Sequence, residues 1–172
     1  MLILGHKAHE LRVGEDVELS GPVYTVRDAT CVRLLAELAT TGALPYDLTG
    51  ATLFFCGPTP PRAGRPFGSV GPTTAARMDE ATVALMDAGI VATIGKGARS
   101  AAVVDACERT GGLYFGAIGG IAALLARHVV ETEDIAYPEL GTEALRRFTL
   151  DRFPAFVAVD SQGRALDFKH LS

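Results

Sequence analysis

Three cations and one hydroxyl stand where predicted strands give way to predicted helices. Arg27 and Lys96 each follow an apolar strand-like run, and Thr73 and Arg77 lie four residues apart in the segment GPTTAAR. An arginine fork matches a carboxylate through two parallel hydrogen bonds, whereas a lysine acts as a compact point charge. Because the carboxyl ends of parallel strands meet at one edge of a sheet, these residues predict a pocket for a small multivalent anion, such as a dicarboxylate or a phosphate ester.

Each arginine also has a purely structural interpretation. Arg27 can pair with Asp28 or with another carboxylate, and Arg77 can pair with Asp79 or Glu80 on the surface of its own helix. Most charged residues are solvated or paired in this way, so one arginine alone predicts no site. Three cations at one end of a sheet favour the binding-site interpretation.

The elements that must position these residues alternate between short apolar runs and segments of helical period, a pattern typical of an α/β protein with a largely parallel sheet. The predicted strands are Val17 to Val26, Thr52 to Cys56, Ile90 to Ile94, Leu113 to Phe115, His128 to Ile135 and Phe156 to Asp160, with a final edge strand from Ala165 to Phe168. The predicted helices are Ala29 to Thr41, Thr74 to Ala88, Arg99 to Thr110 and Gly120 to Arg127, with a shorter one near Thr142 to Arg147. Thr73 is predicted to cap the second helix.

Two segments depart from this simple alternation. Val17 to Val26 is long and mixed in polarity, which places it in a second, partly antiparallel layer. Gly57 to Pro72 is rich in glycine and proline, and a structureless connection of this length is usually a lid or a binding loop. A plain surface excursion is the alternative.

Length and composition limit the function classes. The chain has 172 residues, 48% of them hydrophobic, which suits one domain over residues 1 to 172. The formal net charge of -4 without blocks of like charge argues against nucleic-acid and membrane-surface partners. The three cysteines are an odd number without CxxC spacing, so we expect reduced thiols. Short apolar runs without a signal-peptide pattern predict a cytoplasmic location, and the lack of tight metal-ligand spacing predicts no metal site on this chain.

Several ordered motifs, from about residue 14 almost to the end, carry a family resemblance. They are TVRDA (residues 25–29), GPTTAARMDE (71–80), IGKGARS (94–100), GGLYFGAIGGIAALLA (111–126), YPELG (137–141) and RFPAFVAVD (152–160). The chain resembles the β subunit of iron-sulfur hydro-lyases, the family of class I fumarases and L-tartrate dehydratases. In that family the equivalent piece is a C-terminal domain or a separate chain.

The resemblance implies a swivelling β/β/α domain, in which a central parallel sheet carries helices on one side and a smaller antiparallel layer. It also implies a [4Fe-4S] cluster held by a partner α subunit, and reversible loss of water from a 2-hydroxy dicarboxylate. By position, Thr73 and Lys96 are then the catalytic residues, with Thr73 the candidate base. Arg27, Arg77 and Lys96 are the substrate-binding residues.

Two motifs depart from the family pattern. Family members commonly read RDAAH where this chain reads RDATC over residues 27–31, which end at Cys31, and KGN where it reads KGA over residues 96–98, which end at Ala98. The three cations are unaffected, and the choice between fumarate or malate and tartrate stays open. A non-catalytic module that binds small anions or regulates is the alternative function, and it predicts that no cluster-bearing subunit accompanies the chain.

Overall fold

The computed structural model describes residues 2–3, 8–59, 68–118 and 120–168. Within these ranges the strands are β1 Leu2–Ile3, β2 Asp16–Val26, β3 Thr52–Pro58, β4 Val70–Pro72, β5 Ala92–Gly95, β6 Leu113–Gly116, β7 Val129–Ala136 and β8 Leu145–Val159. The α-helices are α1 Asp28–Thr41, α2 Asp79–Asp87, α3 Ala101–Thr110 and α4 Ala122–Leu125. None of the helices in the described ranges is long and apolar enough to span a membrane.

The parallel part of the sheet consists of β2, β3, β5 and β6, which lie side by side in that order. Helices α1, α2 and α3 lie between these strands in the chain, as in a run of βαβ units. The prediction of an α/β protein with parallel strands is therefore confirmed. The four carboxyl ends consequently share one edge of the sheet, and we call this edge the carboxyl rim.

Strand β8 closes the sheet into a barrel. Its 15 residues pair antiparallel with β6 through one part of their length and with β2 through another, so the pairing runs around β2, β3, β5, β6 and β8. Strands β1 and β7 add antiparallel partners to β2 and β8. A register shift at Gly21, with φ of 101°, lets β2 bend to follow this closure.

The closure corrects three sequence predictions. Strand β2, predicted to lie in a second layer, pairs parallel with β3 and antiparallel with β8 in the same sheet. The predicted helix near residues 142 to 147 is wrong, because a short 3-10 segment ends at Glu143 and β8 begins at Leu145. The predicted strand from Phe156 is the end of β8, whose alternate residues face a closed interior and therefore give a mixed pattern.

Alternate residues of each strand fill two separate cores. On β3, Phe54 and Cys56 belong to the cluster inside the barrel, whereas Leu53 and Phe55 belong to the cluster between barrel and helices. Both faces are apolar, which explains why the strand reads as a continuous hydrophobic run. All three long helices contribute to the outer cluster, so they lie on one side of the strands.

The segment from Gly57 to Pro72 begins and ends as a β-hairpin. Strands β3 and β4 pair antiparallel, and the pairing continues through hydrogen bonds between Thr59 and Ser69. The ends of this segment are therefore ordered strands and not the structureless connection predicted. Residues 60–67, in the middle of the predicted lid, lie outside the described residues. The predicted edge strand from Ala165 is reduced to one bridge with Val159.

Candidate active site

Thr73 occupies the gap between the ends of β3 and β5 on the carboxyl rim. Its N–H donates to the carbonyl of Phe55 at 2.8 Å, and its carbonyl accepts the N–H of Lys96 at 3.1 Å. Lys96 directly follows β5, and Arg27 directly follows β2. The fold thus brings the sequence-predicted residues to the same rim, as their positions after parallel strands indicated.

Thr73 is not a helix cap. After Thr73 the chain continues to pair with Lys96, the residue that follows β5. Thr74 forms a β-bridge with Lys96, and the N–H of Ala75 donates to the Lys96 carbonyl at 3.0 Å. A 3-10 turn then spans Ala75–Met78, and α2 begins only at Asp79. The hydroxyl of Thr73 is consequently left for other partners.

Arg77 contacts that hydroxyl and a carboxylate at once. Its Nη2 donates to the Thr73 Oγ1 at 3.0 Å. Its Nε and Nη2 also donate to the two oxygens of Asp28, at 3.1 and 3.0 Å. The prediction that Arg77 pairs with Asp79 or Glu80 is therefore wrong, because its carboxylate partner is Asp28. The hydrogen bond from Arg77 is the main reason that the pKa of Asp28 lies below its ordinary value.

Arg27 is more weakly paired than Arg77. Its Nη2 lies 3.7 Å from an oxygen of Glu143 and 4.0 Å from an oxygen of Asp28, and its Nε is buried without a partner among the described residues. The side chain lies against Gly57, where an added Cβ would stand 2.8 Å from Nη1. Both arginines thus reach the same Asp28 oxygen, which joins them in one cluster.

Glu143 is a member of this cluster that the sequence analysis missed. Besides its contact with Arg27, it accepts the N–H of Ala29 at 2.8 Å, and its carbonyl accepts the hydroxyl of Thr30. It therefore fixes the start of α1, which follows Arg27. The only signal in the sequence was its position two residues after the YPELG motif, which ends at Gly141.

Lys96 is exposed, and within the described ranges its ammonium group forms no ion pair. Its position is set by its backbone and by the next residue. Tyr114 donates its hydroxyl to the carbonyl of Gly97 at 2.9 Å, and Gly97 has φ of 85°, which favours glycine. The lysine is thus the least engaged of the three cations on the rim.

The charges on the rim nearly balance. Arg27, Arg77 and Lys96 are accompanied by the carboxylates of Asp28 and Glu143. Three cations against two anions leave one net positive charge. An organic dianion that binds here must therefore exploit donors that the internal carboxylates leave unused.

A buried ion pair between Arg99 and Asp79 stabilises the segment that follows Lys96. The side chain of Arg99 is 0% exposed, and its Nε donates to Asp79 at 2.7 Å. Its guanidinium lies 5.1 Å from the ring centre of Phe55 and 4.8 Å from that of Tyr114. Asp79 also accepts the N–H of Ser100 at 2.7 Å. This buried ion pair fixes the segment that follows Lys96 onto the start of α2.

The cysteines of this chain do not fit an iron-sulfur cluster. Cys31, Cys56 and Cys107 are free and buried, and burial raises the pKa of each thiol. Cys56 lies inside the barrel, whereas the other two lie in the outer core, so they cannot converge on one cluster. The described residues contain no group of three or more His, Cys, Asp or Glu side chains that could hold a metal ion.

Comparison with known proteins relates this chain to one family. A family profile described as Fumarase C-terminus matches residues 3–170. The chain is 39% identical over 153 residues to "Fumarate hydratase class I, anaerobic" of Escherichia coli (strain K12), covering 88% of this chain and 28% of that protein. The chain therefore spans just over a quarter of the length of this curated relative.

Two relatives are matched over most of their own length. It is 33% identical to the "Putative L(+)-tartrate dehydratase subunit beta" of Methanocaldococcus jannaschii, covering 91% of this chain and 84% of that protein. It is also 33% identical to the "L(+)-tartrate dehydratase subunit beta" of Escherichia coli (strain K12), covering 91% and 79%. The profile match over almost the whole chain, together with these β subunits, shows that the chain belongs to the Fumarase C-terminus family.

Proposed function

We propose that this chain is the β-type component of a hydro-lyase that reversibly removes water from a 2-hydroxy dicarboxylate. Malate and fumarate are the first substrates to test, and tartrate is the next. The observation that carries the proposal is the contact between Arg77 and the Thr73 hydroxyl on a rim that also holds Arg27 and Lys96. Relatives named as fumarate hydratases and tartrate dehydratases support the choice of reaction.

The proposed reaction needs a base that removes a proton from the carbon beside the hydroxyl-bearing carbon. Thr73 is the candidate base, although an unassisted threonine hydroxyl is a poor one near neutral pH. A hydrogen bond from a cation to an oxygen stabilises the negative form of that oxygen, and Arg77 provides such a bond at 3.0 Å. The hydrogen bond from Arg77 would therefore assist Thr73 as a base by stabilising the deprotonated form of its hydroxyl.

The cations that remain have a separate role in this proposal. Arg27 and Lys96 would hold the substrate carboxylates and stabilise the charge that develops as the C–H bond breaks. Arg27 suits this role because the ion pairs of its Nη2 with Glu143 and Asp28 are long, at 3.7 and 4.0 Å, and its side chain is 30% exposed. Lys96 suits it because its ammonium group is exposed.

The proposal includes a partner α subunit that carries a [4Fe-4S] cluster. When bound, the open iron of that cluster would supply Lewis-acid chemistry at the departing hydroxyl. We also propose a swivelling β/β/α arrangement of one domain over residues 1–172, which presents the carboxyl rim to the partner. A cytoplasmic location suits the three buried free thiols of this chain.

The test is reconstitution. The chain is purified alone and after co-expression with a cluster-bearing α subunit, and both samples are assayed for water transfer with malate, fumarate and tartrate. We expect turnover only in the complex, and we expect Arg77→Ala to abolish most of it without unfolding the chain. Full turnover by the isolated chain would contradict the proposal. A chain without such a partner would support the anion-binding module instead.

A further inference from the structure

Asp28 is the carboxylate that contacts both arginines of the rim. The sequence suggested it only as an ion-pair partner of Arg27. We infer that Asp28 is a positioning residue that fixes the Arg77 guanidinium against the Thr73 hydroxyl. The inference rests on the proposed function, because the base that Arg77 assists is the proposed one. It assigns Asp28 to the placement of the base and not to substrate binding.

The hydrogen bonds of Arg77 define what Asp28 does. A guanidinium has five N–H donors, one on Nε and two on each terminal nitrogen. The Nε donor and one Nη2 donor bind the two oxygens of Asp28 in a fork, and the other Nη2 donor binds Thr73. Such a fork fixes the plane of the guanidinium, so the direction of the donor toward Thr73 is fixed as well.

The same arrangement limits what Arg77 can offer a substrate. Only the two donors of Nη1 make no hydrogen bond to the described residues, and they cannot form the forked contact that Asp28 already occupies. Arg27 differs from Arg77, since its ion pairs with Glu143 and Asp28 are 3.7 Å or longer. The two arginines therefore have different roles: Arg27 is available to bind a substrate carboxylate, and Arg77 donates a hydrogen bond to the Thr73 hydroxyl.

Asp28 can perform this role because its own position is rigid. It is the first residue of α1, a 14-residue helix that directly follows the Arg27 cap. Glu143 accepts the N–H of the next residue, Ala29, at 2.8 Å and so fixes the helix start. A carboxylate on the rigid start of a helix orients a flexible arginine better than one on a loop.

A competing interpretation gives the opposite kinetics. If Asp28 merely blocked Arg77 and had to be displaced by substrate, its removal would free the fork for a substrate carboxylate. Asp28→Asn would then lower KM and leave kcat unchanged or higher. If Asp28 positions Arg77, the same substitution lowers kcat while KM changes little, because the loss falls on the base and not on substrate binding.

The experiment compares three variants. Asp28→Asn keeps the size of the side chain and removes its charge, and Asp28→Glu keeps the charge on a longer side chain. Asp87→Asn is the matched control, because Asp87 forms an ion pair of similar exposure with Arg109, at 2.6 Å on the helix surface. Each variant is prepared in the complex with the cluster-bearing subunit for kinetics, and as the free chain for NMR.

In the kinetics we expect Asp28→Asn to lower kcat roughly tenfold to hundredfold, the loss typical of a catalytic group misplaced by about 1 Å. Asp28→Glu should recover part of that loss, and Asp87→Asn should match the wild type. A lower KM with kcat unchanged in Asp28→Asn would overturn the inference. Equal losses in Asp28→Asn and Asp87→Asn would also overturn it, because a general loss of stability would then explain both.

The NMR measurement separates this inference from the proposed function. In the free chain we expect the Nε–H of Arg77 to exchange slowly with water, and to exchange at least roughly tenfold faster in Asp28→Asn but not in Asp87→Asn. An unchanged exchange rate in Asp28→Asn would overturn the positioning role whatever the kinetics show. If the wild-type complex converts none of the three acids, the proposed function fails and the NMR result alone decides whether Asp28 fixes Arg77.

Discussion

The substitution Gly57→Ala tests whether the placement of Arg27 controls substrate binding. Gly57 lies on β3, opposite Gly71 of β4, and its φ is outside the left-handed region, so alanine is compatible with the backbone. An added Cβ would stand 2.8 Å from Arg27 Nη1 and 2.9 Å from Arg27 Cδ. Ordinary contact begins near 3.4 Å, so the guanidinium must shift by about 0.6 Å or more.

The two consequences of this shift differ in size. Both close contacts are with the Arg27 side chain and neither is with backbone, so the free energy of unfolding should fall by only about 1 kcal/mol, at the low end for overpacking. A displacement of this order in a group that binds substrate can cost roughly tenfold to hundredfold in kcat/KM, equivalent to about 1.4 to 2.7 kcal/mol. We expect most of this loss to appear as a higher KM.

The assay is a double-mutant cycle in the reconstituted complex, with Gly57→Ala, Arg27→Ala and the double variant. Because Gly57→Ala acts by displacing Arg27, it should have no further effect once Arg27 is alanine. Urea denaturation of each variant measures the free energy of unfolding in parallel. The reasoning is refuted if Gly57→Ala leaves kcat/KM unchanged, or if its effect persists in full in the Arg27→Ala background.

Two further predictions concern stability. Arg99→Met should lower the free energy of unfolding by about 3 kcal/mol or more, because it leaves the 14%-exposed Asp79 side chain without its cation. Urea denaturation measures this loss, and a value below about 1 kcal/mol would contradict the prediction. Burial by itself raises the pKa of Asp160, but hydrogen bonds from the backbone of Gln162 and Arg164, and from the Arg164 guanidinium, outweigh burial and lower it. Asp160 therefore stabilises the fold above the ordinary aspartate pKa of about 3.9 and loses this effect as the pH falls through its lower folded value. Asp160→Asn should cost about 1 to 3 kcal/mol at pH 7 and progressively less below about pH 4 in urea titrations, and a cost that is independent of pH would contradict this account.

The sequence predicted the parallel strands and the residues at their ends because both depend on local signals. Apolar runs buried on two faces, alternating with helical periods, identify β3, β5 and β6 without knowledge of their partners. The position after a parallel strand then places Arg27 and Lys96 on one rim. These predictions needed no knowledge of which distant segments pair.

The pairing partners depend on long-range geometry, and there the sequence predictions failed. Strand β8 pairs with β2, β6 and β7, and two of these partners, β2 and β6, are separated from it by at least one other strand in the chain. Its first residues were predicted as a helix because their pairing with the distant β2 leaves no local signal. Thr73 was predicted to cap a helix, but a hydrogen bond from Ala75 to the distant Lys96 delays the helix start. No local pattern contains either contact.

The sequence by itself therefore determined which cations reach the carboxyl rim, because strand order in the chain and the parallel connection fix that edge. Only the tertiary structure decided how each cation is used. Asp28 occupies the fork of Arg77, whereas Arg27 packs against Gly57 and keeps only long ion pairs with Glu143 and Asp28. Asp28 and Glu143 come from segments 114 or more residues apart, and the closure of the sheet brings them together. Hydrogen-bond geometry between segments so distant is set by packing and not by any periodicity along the chain.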